Sequence, residues 1–192
     1  MSTKEKIKFL LHIIIPVIIC IIPGCILYPG YIFKPYLSTF QIITTAFMGS
    51  VFLASLKITG MKNSIGLLII LMVLNSMLLT KPMESGNVTR DLFHYAALFL
   101  SLYFFFRVIY LKTPPALYPL YMTIIFAAVF FAVITILSLL KSIKMGAPLT
   151  YYLSTAAYPA LVDAMIGFCL GLGTFIVDMY LPLKKEISDD TV

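Results

Sequence analysis

The sequence predicts an all-α, polytopic membrane protein: a bundle of six transmembrane helices with short loops and both termini in the cytoplasm. Three observations carry that reading. Six apolar stretches, at about residues 8–30, 38–57, 64–81, 91–111, 116–140 and 157–182, take up most of the 192 residues. Each comes near the ~20 residues that cross ~30 Å of hydrocarbon. The composition is 61% hydrophobic and only 11% charged, with mean hydropathy +1.02, more apolar surface than a soluble core can hide. The basic residues stand singly at the ends of the apolar runs rather than in a patch. They set a topology, and nucleic acid is not expected as a partner despite the net charge of +6.

The charge arithmetic orients the bundle. With the N-terminus inside, Lys4, Lys6, Lys8, Lys57, Lys62, Arg107, Lys112, Lys184 and Lys185 face the cytoplasm, against Lys34, Lys81, Arg90, Lys141 and Lys144 outside. The chain then reads as one transmembrane domain over 1–192, with a basic arm at 1–8 and a charged tail at 183–192. The expected location is the cell membrane, a bacterial inner membrane by the Lys- and Ile-rich composition. The run from Phe9 to Phe33 is too long for a signal-peptide core and no small-residue cleavage site follows, so it is kept as the first helix.

Each element has its own signals. The first helix carries Pro16, Pro23 and Gly24, breakers that a membrane helix tolerates where protein packs against it. Tyr28, Tyr31, Phe33 and Tyr36 after it form an interfacial aromatic belt. The second span sets Ala46, Ser50 and Ala54 four residues apart, a stripe that admits close helix approach, centrally or across an oligomer interface. The third is apolar except for Asn75 and Ser76, and Lys81-Pro82 ends it. Asn87-Val88-Thr89 in the next loop is formally a glycosylation acceptor and carries no meaning in a bacterium.

The fourth span runs from Asp91 to Leu111, and the turn Lys112-Thr113-Pro114-Pro115 makes the fifth its antiparallel neighbour. The fifth, Ala116 to Leu140, is the most uniformly apolar and the best candidate to face lipid. The last span is expected to begin near Pro159 and to end at Pro182, after an outer connection in which Pro148 starts a short interfacial helix. Its small residues include Ala160, Ala164, Gly167 and Gly171, a second close-packing surface. Two such stripes in one small chain suggest a homo-oligomer.

Ionisable residues inside a membrane are costly unless paired or wetted, so they are the first place to look for function. They are His12, His94, Arg107, Asp163 and Asp178. Asp163 near the start of the last helix complements the helix dipole in the plainer reading. In the sharper one, Asp163, His94 and Asn75 share a depth near the outer side and form a polar site for a cation, a proton or a solute. Arg107 and Asp178 at inner ends form a candidate ion pair or snorkel separately to the interface. His12 is expected at the interface, and Cys20, Cys25 and Cys169 act as small apolar residues, since the first two are not in a redox or zinc spacing.

Several chemistries find no residues. A rhomboid-like protease needs a nucleophilic serine in a glycine-flanked setting with a histidine partner, and Gly49-Ser50 lacks the rest of that pattern. Metal-dependent work on diphosphates needs several carboxylates on facing helices. No cofactor, metal or enzymatic activity is therefore expected. The leading expectation is a membrane subunit, of scaffold, sensor or defence type, that assembles through its small-residue faces amid membrane lipids and presents short segments to a soluble cytoplasmic protein. The alternative is a small transporter or channel working at Asn75, His94 and Asp163.

Overall fold

The computed structural model describes residues 3–27, 43–58, 66, 88–110, 112–142 and 149–182, all of whose long elements are helical. Helix α1 spans Thr3–Leu27, α2 Ile43–Ile58, α3 Val88–Phe104, α4 Tyr118–Ser142 and α5 Leu149–Tyr180. A π-helical turn, Phe105–Tyr110, continues α3, and a single 3-10 turn, Pro115–Leu117, leads into α4. Three segments, Phe93–Tyr110, Pro115–Leu137 and Ala160–Tyr180, are long and apolar enough to cross a membrane, which points to a membrane protein. The expected third span apart from Gly66, with Asn75, the aromatic belt, the 83–87 part of the following loop and the 183–192 tail lie outside the described residues.

Apolar residues surround α4 and α5 on every side, so helix contacts rather than amphipathicity decide what is inside. On α5 one face holds Ala156, Ala160, Asp163, Gly167, Leu170, Thr174 and Val177, all buried, while Leu161, Met165 and Phe168 look outward. α4 is the least buried of the three long apolar segments and α5 the most. On α4 a seam of Tyr118, Met122, Ile125, Phe126 and Phe130 turns inward. α2 is buried nearly all round, with Phe47 as its large exposed side chain, and so runs through the middle of the described bundle.

Contacts fix the directions of the helices. Gly49 faces Leu98, Leu102 and Leu170, and Thr45 faces His94, while Lys57 reaches Asp178. Rising numbers thus match along α2, α3 and α5, which run one way. Lys8 meets Pro182 and Pro16 meets Gly173, so α1 runs the other way, as does α4, where Pro119 meets Gly171 and Phe126 meets Gly167.

The small residues serve these contacts. A Cβ on Gly167 would lie 2.7 Å from Phe126 Cγ, one on Gly171 2.7 Å from Pro119 Cα, and one on Gly173 2.5 Å from Pro16 Cα. All three distances are shorter than side chains tolerate, so α4 and α1 rest on α5 only because glycine stands there. Ala46, Ser50, Ala54, Ala160 and Ala164 are likewise buried within the chain. Both stripes read from the sequence are therefore used to pack the monomer. Hydroxyls in these apolar contacts bond their own helix: Ser50 Oγ donates to the Ala46 carbonyl at 2.7 Å and Ser101 Oγ to that of Ala97 at 2.8 Å.

The last helix departs from expectation. It does not begin near Pro159 but at Leu149, and it passes through the proline. A proline removes one backbone hydrogen bond and crowds the carbonyl four residues earlier, a loss that packing can offset. Here Ala156 and Ala160 on either side are buried against the bundle, and the helix holds. Asp163 consequently stands about four turns past the helix start, where the end of the dipole no longer reaches it.

Candidate functional site

Two polar layers cross the apolar bundle, one at each end of the buried stretch of α5. The layers are set by Asp163 and Asp178, fifteen residues apart on that helix, or about 22 Å at 1.5 Å per residue. Each combines a carboxylate of α5, a histidine of another helix and a residue of α2.

The first layer holds Asp163, His94 and Thr45. α5 carries Asp163 on its inward face and buries it to 1% exposure. Packing of α3 against α2 brings His94 Nδ1 to 3.9 Å from Asp163 Oδ1, inside ion-pair range and beyond a direct hydrogen bond. His94 Nε2 lies 3.3 Å from Thr45 Oγ1, and a hydroxyl can either donate to that nitrogen or accept from it. The Phe130 ring, 5.0 Å from the imidazole centroid, and the Tyr95 ring at 5.5 Å wall the histidine. Neither oxygen of Asp163 has a hydrogen-bond partner among the described residues.

That bare carboxylate is the unusual feature. An ionised carboxylate without donors is among the most expensive groups to keep away from water, and it persists only beside a positive charge or carrying a proton. The order hydroxyl, imidazole, carboxylate resembles a nucleophile-activating array, which the sequence did not show because Thr45 and His94 are 49 residues apart. Thr45 stands in the first turn of α2. The same array can also exchange positive charge.

The second layer holds Lys57, Asp178 and His12. Lys57 Nζ donates to Asp178 Oδ1 at 2.7 Å and also lies 3.3 Å from His12 Nδ1. His12 Nε2 is 3.0 Å from the Leu181 carbonyl. An ammonium only donates and a carbonyl only accepts, so these two contacts require a neutral His12 with its proton on Nε2. Lys8 Nζ donates to the Pro182 carbonyl at 3.4 Å, so two side chains of α1 satisfy carbonyls at the end of α5. The π-helical turn sets the Tyr110 ring 5.1 Å from Lys57 Nζ, and Tyr118 Oη donates to the Tyr110 carbonyl at 3.0 Å to hold that turn against α4. Asp178 Oδ2 is buried without a hydrogen-bond partner among the described residues, and through Oδ1 and His12 the cluster clamps α1, α2 and α5 together.

The residues singled out in the sequence fare differently. Asp163 and His94 come together, while Asn75 lies outside the described residues. Arg107 and Asp178 do not pair: Arg107 is exposed on the π-helical turn, and Asp178 takes Lys57 instead. The physical reason is reach, because Lys57 is the last-turn residue of the central helix whereas the wide π turn carries Arg107 outward. His12 is not interfacial but 3% exposed within the clamp.

Lys57 and Thr45 were missed. Lys57 enters the sequence reading only as a cytoplasm-facing charge, although Ser50, Ala54 and Lys57 follow one another at helical spacing along the stripe that turns inward. Thr45 carries no signal that separates it from Thr44. No family model matches the chain, and no curated protein or solved structure is similar to it.

Proposed function

We propose that the chain is a six-pass, non-enzymatic membrane transporter or channel in which Asp163 and His94 form a site for a proton or a small monovalent cation. The observation that supports this reading is Asp163 itself: 1% exposed, with both oxygens unbonded among the described residues and an imidazole 3.9 Å away. A carboxylate left bare in an apolar bundle destabilises the fold unless something positive joins it. A group kept in that state is suited to take up and release positive charge. His94 supplies the second exchangeable position and Thr45 a hydroxyl that can pass a proton to its other nitrogen.

The small-residue faces that suggested assembly are packed within the chain. The Lys57, Asp178 and His12 layer fits a structural clamp that closes the bundle at the far end of α5.

The test is flux. The purified protein is reconstituted into liposomes holding a pH-sensitive dye or, in a parallel set, a sodium-sensitive dye, and a potassium gradient with valinomycin drives protons or sodium inward. Wild type is expected to raise the flux of one of these ions above that of empty liposomes, and Asp163→Asn to return it to background at unchanged protein content. Wild-type flux equal to that of empty liposomes for both ions would reject the proposal.

A further inference from the structure

The α1–α5 contact holds a second chemically reactive pair, away from both polar layers. The two helices run antiparallel in a register marked by Lys8 with Pro182, His12 with Leu181, and Pro16 with Gly173. At the last of these a Cβ on Gly173 would stand 2.5 Å from Pro16 Cα, so the two backbones are in contact there. One turn onward along α1 from Pro16 is Cys20, and one turn back along α5 from Gly173 is Cys169. Both are free thiols, 1% and 7% exposed, and they neighbour each other across the contact. A disulfide needs Cα atoms about 4.4–6.8 Å apart, and the two backbones touch one turn away from the cysteines.

We infer that Cys20 and Cys169 form a dithiol site that closes to an intramolecular disulfide by exchange with a small, lipid-permeant disulfide. The thiolate of one cysteine attacks a sulfur of the small disulfide, forming a mixed disulfide and expelling one small thiolate. The second cysteine loses its proton and attacks the protein sulfur of that mixed disulfide, expelling the other small thiolate. The two protein thiols are oxidised by two electrons, the small disulfide is reduced to two thiols, and the two protons lost from the cysteines end on those thiols. Opposed thiols favour the second step because the resolving sulfur is already beside the first, so ring closure outruns a second adduct. The bond ties α1 to the helix that carries Asp163 and Asp178.

The spacing of the cysteines hides this site. Cys20 and Cys25 are near each other in sequence, whereas Cys20 and Cys169 meet only because α1 packs antiparallel on α5.

The protein in lipid nanodiscs is treated with 2,2′-dithiodipyridine, then unfolded, alkylated with N-ethylmaleimide and weighed by mass spectrometry. The expected product has Cys20 and Cys169 unalkylated, joined in one peptide pair about 2 Da lighter than the reduced pair. Dithiothreitol restores both to alkylation. Cys25→Ser leaves the product unchanged, whereas Cys20→Ser and Cys169→Ser each abolish it. Separate thiopyridyl adducts on Cys20 and Cys169, a disulfide through Cys25, or full alkylation of both thiols after treatment would each overturn the inference. The readout is independent of ion flux.

Discussion

Lys57 Nζ donates to Asp178 Oδ1 at 2.7 Å across 121 residues of sequence, joining the end of α2 to the end of α5. The side chains are 4% and 10% exposed, so removing one partner strands the other charge in an apolar bundle. Lys57→Met and Asp178→Leu are each expected to destabilise the protein by about 3–5 kcal/mol. The double variant should recover most of that loss, because it strands no charge. Denaturant unfolding in mixed micelles measures the cycle, and a double variant as unstable as the two single losses added together would show that the pair is not coupled.

Gly171→Leu addresses the α4–α5 contact. Its Cβ would meet Pro119 Cα at 2.7 Å and the Tyr118 carbonyl at 2.8 Å, both backbone atoms that cannot rotate aside. The cost expected is at or above the upper end of the ~1–3 kcal/mol typical of overpacking. Thermal unfolding should register the change in single-particle nanodiscs, where no subunit contact can contribute. A variant as stable as wild type there, but altered in oligomer mass, would return this surface to an intermolecular role.

Asp163→Asn keeps volume and hydrogen-bonding capacity but removes the charge and its proton. Protein yield is expected to hold, because no donor to either carboxylate oxygen is lost among the described residues, and ion flux is expected to vanish. Full flux at normal abundance would make Asp163 a passive core residue.

Thr45→Val is the finer probe of the same layer. It preserves shape and deletes the hydroxyl 3.3 Å from His94 Nε2. A relay through Thr45 predicts slower flux with unchanged yield, whereas flux at the wild-type rate would confine the exchanging groups to His94 and Asp163.

Topology is tested by single cysteines at Glu84 or Ser85 in a cysteine-free background. Six spans with cytoplasmic termini place both outside, open to a membrane-impermeant maleimide in intact cells. Labelling only after lysis would put that loop inside and reverse the assignment.

The sequence by itself determined the class. Long charge-free runs can be stable only as helices in hydrocarbon, because each satisfies its own backbone hydrogen bonds, and that argument needs no partner. It also picked out Asp163 and His94, since an ionisable residue within such a run is conspicuous by its solvation cost alone. The turn at Thr113-Pro114-Pro115 and the outward-facing character of α4 were legible for the same local reason.

Tertiary structure decided what each of these residues does. Pro159 looked like a helix start because proline has a local preference, yet burial of Ala156 and Ala160 carried α5 through it and moved Asp163 into the helix interior. Asp178 has Arg107 as its expected partner by position, and the central place of α2 gives it Lys57 instead. Gly167 and Gly171 announced close approach without naming the partner, which is α4 of the same chain. Composition and spacing report the cost of placing one residue in a medium. Pairing depends on which helix faces lie together, and in a chain apolar on every side only the packed bundle specifies that.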